Sequence, residues 1–205
     1  MIYYNDNNPD VVDWLNRLIK KGLLPQGVVD GRSILDVEPE DLKGFTQCHF
    51  FAGIGGWAYA LDLAEFPKDL PVWTGSPPCQ PFSVAGKQLG QQDERHLAPK
   101  FIELVRASKP PLLFGEQVST AAVLGPSSEE TQLPTPEEPS WSWLDSLSTN
   151  LEAAGYSFGA ASLPAASIGS PCIRQRLFFG AVRLGSPHIK GLERLGGYVK
   201  NPYGW

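Results

Sequence analysis

Apolar positions in the first half of the chain fall into short blocks divided by polar and turn-forming residues. The run "IYYN" is β-prone. In "NNPDVVDWLNRLIKKG", Val11, Val12, Leu15, Leu18 and Ile19 recur at helical spacing. Asn8 precedes them as an N-cap, Pro9 takes the first helical position and Gly22 stands just past the end, so an amphipathic helix is predicted. "GVVDGRSILDV" contains a second strand, and "EPEDL" reads as one helical turn. "TQCHFFAGIGGWAYALDLAEF" reads as strand, glycine loop and helix, and "PVWTGS" as another strand. Further on, "LAPKFIELVRASK" is a helix and "PPLLFGEQV" a strand. "SWLDSLSTNLEAAGY" is a helix ending at Gly155, "SFGAASL" a strand, and "RQRLFFGAV" a strand that begins with two arginines. Strand and helix patterns alternate, which predicts an α/β fold: a Rossmann-like, mostly parallel sheet with helices on both faces.

Composition adds bounds. The chain has 205 residues, 42% hydrophobic and 19% charged, as expected of a soluble globular domain of ordinary size. With 21 glycines and 19 prolines, tight turns and long loops are expected. No apolar run reaches the length of a membrane span, and "MIYYNDNNPD" lacks the basic and apolar regions of a secretory signal. Cys48, Cys79 and Cys172 have no metal-ligand spacing and form an odd set. That fits a reducing cytoplasm, implies no metal and argues against a disulfide frame.

The net charge of −5 argues against nucleic acid, but its distribution does not. Residues 171–205 carry Arg174, Arg176, Arg183, Lys190, Arg194 and Lys200 against Glu193, a local +5 on a body of −10. Such a tail is either a solvated end or a phosphate-contacting surface. Residues 126–140 carry four prolines, four glutamates and no basic residue, and read as a mobile loop.

The candidate chemistry sits where strands end. Gly53, Gly55 and Gly56 lie between a strand and a helix, where a ligand could approach the backbone and the helix amides; a tight structural turn is the alternative. Cys79 follows a strand in "TGSPPCQPFSVAGKQLG", its approach fixed by Pro77 and Pro78. A thiolate there would be a soft nucleophile, whereas a buried thiol would be inert. Glu116 emerges from an apolar strand, a setting that raises a carboxyl pKa and suits proton donation; an ordinary surface glutamate is the alternative. Arg174 and Arg176 are two apart, so on a strand they would share a face.

Taken in order, "FAGIGG", "PPCQPFS", "EQV" 37 residues after the cysteine, and "RQR" resemble the cytosine-5 DNA methyltransferase family over about residues 49–182. The resemblance implies a class I S-adenosylmethionine-dependent methyltransferase fold and methyl transfer to C5 of a flipped-out cytosine. In that chemistry Cys79 adds to C6, Glu116 acts as the acid at N3, and Arg174 and Arg176 hold the base and nearby backbone. It also implies S-adenosylmethionine held by Phe51, Ala52, Gly53, Ile54, Gly55 and Gly56, with Pro78. DNA would be the partner, contacted by Gln80, Ser83, Lys87 and Arg95. Outside those motifs, the charge of the tail makes Arg183, Lys190, Arg194 and Lys200 the candidate phosphate contacts.

The order of motifs departs from the family. Only 22 residues separate Gly56 from Cys79, too few for the βα units that normally stand there. Those units are similar to the front of this chain: "IYYNDNNPDVVDWLNRLI" supplies a strand, an Asn-acid pair and a helix, and "RSILDV" the following strand. A permuted order follows, with Asp6 as ribose ligand and Ile34 packing on adenine; the alternative for Asp6 is an Asx-type turn beside Asn8. In this order the glycine-loop strand runs directly to the cysteine strand. With the helix on its usual face that crossover would be left-handed, which is rare, so either the helix changes face or the strand order differs.

His49 stands where the family has an acid, Gln117 replaces an asparagine and Cys172 a polar residue. The expected organisation is a catalytic domain over 1–182, with 1–45 as its permuted cofactor-binding unit. Residues 183–205 form an irregular basic tail or vestigial recognition region. No target-recognition domain is recognisable, so the chain reads as a minimal enzyme, as a fragment for which a protein partner or a homo-oligomer supplies that function, or as a decayed copy. Rival readings are an RNA (tRNA) cytosine methyltransferase and a catalytically weak relative that binds nucleic acid or a partner. Thymidylate-type chemistry also uses a Pro-Cys nucleophile, but the glycine loop and arginine pair argue against it.

Overall fold

A computed structural model of the chain describes residues 1–77, 97–119 and 143–188. Its strands are β1 (Ile2–Asn5), β2 (Gly27–Asp30), β3 (Gln47–Phe50), β4 (Val72–Gly75), β5 (Leu112–Val118), β6 (Tyr156–Pro164) and β7 (Gln175–Arg183). Its helices are α1 (Pro9–Lys20), α2 (Gly56–Leu63), α3 (Ala98–Ser108) and α4 (Trp143–Ala153). The strands form one sheet in the order β2-β1-β3-β4-β5-β7-β6. Neighbours from β2 through β5 are parallel, and β7 runs against both β5 and β6. This is the mostly parallel α/β architecture expected, with only β7 reversed.

Local signals explain most boundaries. Asn8 accepts a hydrogen bond from the Asp10 amide and Pro9 opens α1, as the cap chemistry predicts. "EPEDL" forms a single 3-10 turn over Pro39–Leu42. The strand expected in "RSILDV" does not form. Ser33 instead caps a short 3-10 turn at Ile34–Asp36, accepting from the Leu35 amide, and the strand is confined to Gly27–Asp30. Serine and aspartate side chains compete for backbone partners and favour such turns over a ladder.

The period-2 alternation of the strands assigns the faces. On the first face Tyr4 packs with Leu15 and Ile19 of α1, Leu24, and Ala58 of α2, while Leu61 of α2 covers Val72 and Leu112. On the second face Tyr3, Cys48, Phe50, Trp73 and Leu113 lie under Ile34, Val37 and Leu42 of the 3-10 turns. Phe101, Leu104 and Val105 of α3, and Leu147 and Leu151 of α4, complete that core.

These faces fix the hand of each crossover. From β1 the chain steps outward to β2 through α1 on the first face. It returns past β1 to β3 through the 3-10 turns on the second face, and goes from β4 to β5 through α3, also on the second face. Reversing both direction and face preserves the hand, so these three connections share it; it is the right-handed one by the general rule. The β3–α2–β4 connection moves in the same direction as the last two but lies on the first face, so it is left-handed. The strand order is therefore as expected and the helix keeps its face. The second face offers α2 no room, because Ile34, Val37, Leu42 and Phe101 already cover it beside Phe50 and Trp73.

Candidate functional site

The carboxyl ends of β1, β2, β3, β4 and β5 lie along one edge of the sheet. Here the chain leaves β3 through a strained turn. Phe51 adopts φ 53°, unfavourable for a bulky residue, and its ring packs edge-on to Phe101 with centroids 6.5 Å apart. The Ala52 amide donates to Asn5 O at 3.0 Å, and the Gly53 amide donates to Asp6 Oδ2 at 3.0 Å. Gly55, at φ 83°, is the N-cap of α2; a Cβ there would approach Leu24 Cδ1 to 2.5 Å. Its lack of a side chain thus serves close packing as well as the turn. Gly56 faces open space, and Ile54 is 77% exposed.

The other Asp6 oxygen, Oδ1, accepts from the Asn8 amide. Asp6 therefore makes the Asx-type turn and also reaches the glycine loop. A cavity of about 230 Å³ opens beside it, lined by Asn5, Asp6, Asn7, Ile34, Phe51, Ser76 and Leu97. Asn5 is held there by its Nδ2, which donates to Asp30 O and Arg32 O. The front of the chain, the glycine loop and the residue after β4 thus meet around one space. Asn7, Ser76 and Leu97 were not singled out from sequence; only the position of Ser76 directly after a strand hinted at it. A larger cavity of about 280 Å³ borders Ile2, Gln47, Ala58 and Phe66. It lies toward the amino ends of the strands and carries none of the motif residues, whereas open parallel sheets bind ligands at the carboxyl ends.

At the same carboxyl edge, Glu116 of β5 and Arg176 of β7 form an ion pair, Nε to Oε1 at 2.7 Å. Burial raises the Glu116 pKa, and the Arg176 and Arg174 charges oppose that rise without cancelling it. Arg174 precedes β7, which begins at Gln175, so the two arginines do not share a strand face as expected. Gln117 is buried, and its Nε2 donates to Pro77 O at 3.3 Å. The residue that departs from the family pattern therefore anchors the start of the cysteine segment.

His49 is fully buried on β3. Its Nδ1 lies 2.8 Å from Thr74 Oγ1, and Nε2 has no partner among the described residues. Burial lowers its pKa to about 3, so the ring is neutral. Arg183 ends β7 beside Tyr156 and Pro111, at the edge opposite the site, with Nε buried and without a partner among the described residues. Arg183, expected to contact nucleic acid as part of the basic tail, thus stands at the far end of β7 from Arg176. Cys79, Pro78, Gln80, Ser83, Lys87, Arg95, Lys190, Arg194 and the proline-rich residues 126–140 lie outside the described residues. Among the described residues there is no cluster of metal-ligating side chains, and no helix is long and apolar enough to cross a membrane.

The model of the C-5 cytosine-specific DNA methylase family matches residues 61–193, beginning inside α2. The type II methyltransferase M.NgoMIV of Neisseria gonorrhoeae is 32% identical over 176 residues, covering 68% of this chain and 52% of that protein. The type II methyltransferase M.AplI of Arthrospira platensis is 32% identical over 117 residues, covering 57% of this chain and 29% of that protein. The chain thus spans about half or less of the length of these relatives. Among solved structures, DNMT2 of Spodoptera frugiperda superposes with a TM-score of 0.52 at 18% identity, covering 91% of this chain and 44% of that one. The Entamoeba histolytica methyltransferase EhMeth gives 0.51 at 16% identity, with 88% and 52% covered. The fold is that of the class I methyltransferases, and S-adenosylmethionine is the cofactor that goes with it. With a family model matched over well more than half its length, the chain belongs to the C-5 cytosine-specific DNA methylase family.

Proposed function

We propose that the chain transfers a methyl group from S-adenosylmethionine to C5 of a flipped-out cytosine in DNA, through a cysteine adduct at C6. The observation that carries this reading is the convergence at one sheet edge. Asp6, Ile34 and Phe51 share a cavity with Ser76, three residues before Cys79 in sequence, and the Glu116–Arg176 pair lies on the same edge.

The residues suit the cofactor. The Asp6 carboxylate can accept hydrogen bonds from ribose hydroxyls, Ile34 offers an apolar surface for a base, and the backbone at Gly53 and Gly56 has open space beside it. S-adenosylmethionine supplies an electrophilic methyl group. Cys79 as thiolate adds to C6, which makes C5 electron-rich enough to take that methyl. Glu116, its pKa raised by burial, donates its proton or a hydrogen bond to N3 as the ring gains charge, and Arg176 holds its carboxyl in place. After transfer the C5 proton leaves, the C6–sulfur bond breaks, and the thiolate is regenerated. The target atoms are hidden in a duplex, so the base must leave the stack.

Target recognition by a protein partner or a second copy of the chain is part of this proposal. The domain reading is retained: catalysis over 1–182, with 1–45 as the transposed cofactor unit. Incubation with labelled S-adenosylmethionine and either DNA or tRNA, followed by nucleoside analysis, tests the reading. Labelled 5-methylcytosine in DNA is the expected product. Label in tRNA alone would make the chain an RNA enzyme, and label in neither, with cofactor bound, would favour a binding relative.

A further inference from the structure

Gln47, the first residue of β3, is 5% exposed, yet its side-chain amide has no hydrogen-bond partner among the described residues. A buried amide carries donors and an acceptor, and native structures seldom leave such groups unpaired. Strand alternation turns this side chain away from Cys48 and Phe50, which pack on the second face, and toward Ala58 and Leu61 of α2 on the first. There it lines the cavity of about 280 Å³ at the amino ends of the strands.

The rest of the lining limits what the amide can meet. Ile2, the cross-strand neighbour of Gln47, forms apolar wall with Pro25, Ala58, Leu61 and Phe66. Apolar walls around one free amide suit a planar ring that presents a hydrogen-bond donor beside an acceptor. The adenine edge has that order, the N6 amino group beside N7, and a glutamine amide pairs with it through two hydrogen bonds. Lys68 also borders the cavity, but its Nζ lies 3.9 Å from Asp62 Oδ1. The pair brings no net positive charge to hold a phosphate, which favours a nucleoside over a nucleotide. The volume stands at the small end for ligand sites, enough for a base and its sugar.

We propose that this cavity is a second small-molecule site, which takes the adenine base of an uncharged nucleoside on the Gln47 amide. Gln47 Oε1 accepts from the N6 amino group, and Nε2 donates to N7. The cavity shares no lining residue with the one around Asp6 and Ile34, and the two lie at opposite ends of the parallel strands. The proposal therefore stands apart from the reading of that other cavity as the cofactor site.

The test titrates adenosine into the full chain labelled with nitrogen-15 and follows the Gln47 side-chain amide signals. They are expected to shift saturably, together with the backbone amides of Thr46 and Leu61. Inosine carries a carbonyl oxygen where adenosine has the amino group, and should bind the parent about tenfold more weakly. Gln47→Leu keeps much of the bulk, removes the amide and should weaken adenosine at this site by about tenfold, the scale of two lost hydrogen bonds. Asp6→Ala should leave the shifts of Thr46, Gln47 and Leu61 as they are in the parent. Gln47 signals that adenosine does not move would mean that the amide serves only water, and would overturn the proposal. Equal binding of inosine and adenosine, or shifts at Thr46 and Leu61 that persist at the same affinity in Gln47→Leu, would overturn it as well. Shifts lost in Asp6→Ala would trace them to the carboxyl edge and remove the second site.

Discussion

The carboxylate of Asp6 accepts a hydrogen bond from the amide of Gly53 at 3.0 Å, across 47 positions of the chain. This contact joins the transposed front unit to the glycine loop at the rim of the cavity. Asp6→Ala should weaken S-adenosylhomocysteine binding by about 1.5–3 kcal/mol, the scale of a charged hydrogen bond. Calorimetry that finds unchanged affinity would remove Asp6 from the cofactor site and with it the functional reason for the transposition.

Cys79→Ser should abolish methyl transfer and leave cofactor affinity and thermal stability near the parent values, because a serine hydroxyl is a far weaker nucleophile than a thiolate. DNA carrying 5-fluorocytosine should trap a covalent complex with the parent and not with the variant, since fluorine cannot leave as a proton does. Near-parental transfer by the serine variant would sink the covalent mechanism.

Glu116 has a folded pKa above its ordinary value of 4.5, chiefly from burial, and Arg176 pulls against that rise. Folding therefore favours the neutral carboxyl. The stability it contributes is full below about 4.5 and is lost as pH rises through the folded value. Arg176→Gln removes the opposing charge, so Glu116 should titrate higher still. Carbon-13 spectra of labelled glutamate carboxyls, assigned with Glu116→Gln, measure this directly. A titration that stays put or moves down would mean the ion pair does not govern the acid.

His49 behaves oppositely. Its folded pKa is depressed from 6.5 to about 3 by burial, so the chain must hold a neutral ring that the unfolded state would protonate. Its stability contribution is present above 6.5 and is lost as pH falls toward 3. The limiting slope is about 1.4 kcal/mol per pH unit. Urea melts across that range should show the slope in the parent and a shallower one in His49→Gln. Equal slopes would assign the acid sensitivity to other groups.

With Arg183 at the far edge of the sheet, Lys190 and Arg194 remain the tail cations proposed for phosphate contact. Neutralising both should flatten the slope of log affinity against log salt by about 2 units, and weaken all DNA sequences alike. Arg183→Gln should leave the slope as it was. A slope kept by the double variant would put the DNA surface elsewhere, and a loss confined to one sequence would make the tail a recognition element.

Much of the fold was legible in the chain because its signals are local. Asn8, Pro9 and the spacing of Leu15 and Ile19 state a helix by capping and periodicity alone, and α1 forms as they predict. The order of glycine loop, cysteine, glutamate and arginines named the family, and the position of "IYYND" ahead of "FAGIGG" already implied a transposed strand order. Local pattern misjudged "RSILDV", where the Ser33 cap outweighed β-propensity, and the arginine pair, where the strand begins after Arg174. Only the tertiary structure decided what depends on three-dimensional closure. The left-handed path of α2 follows from which face was already filled, and no stretch of sequence records that. The same holds for Trp57 against Ser76, Gln117 on Pro77, and Arg183 at the end of the sheet away from Glu116 and Arg176. Sequence fixes each residue's chemistry and its spacing to near neighbours, but contacts between distant segments depend on strand order, register and the space left by everything else in the core.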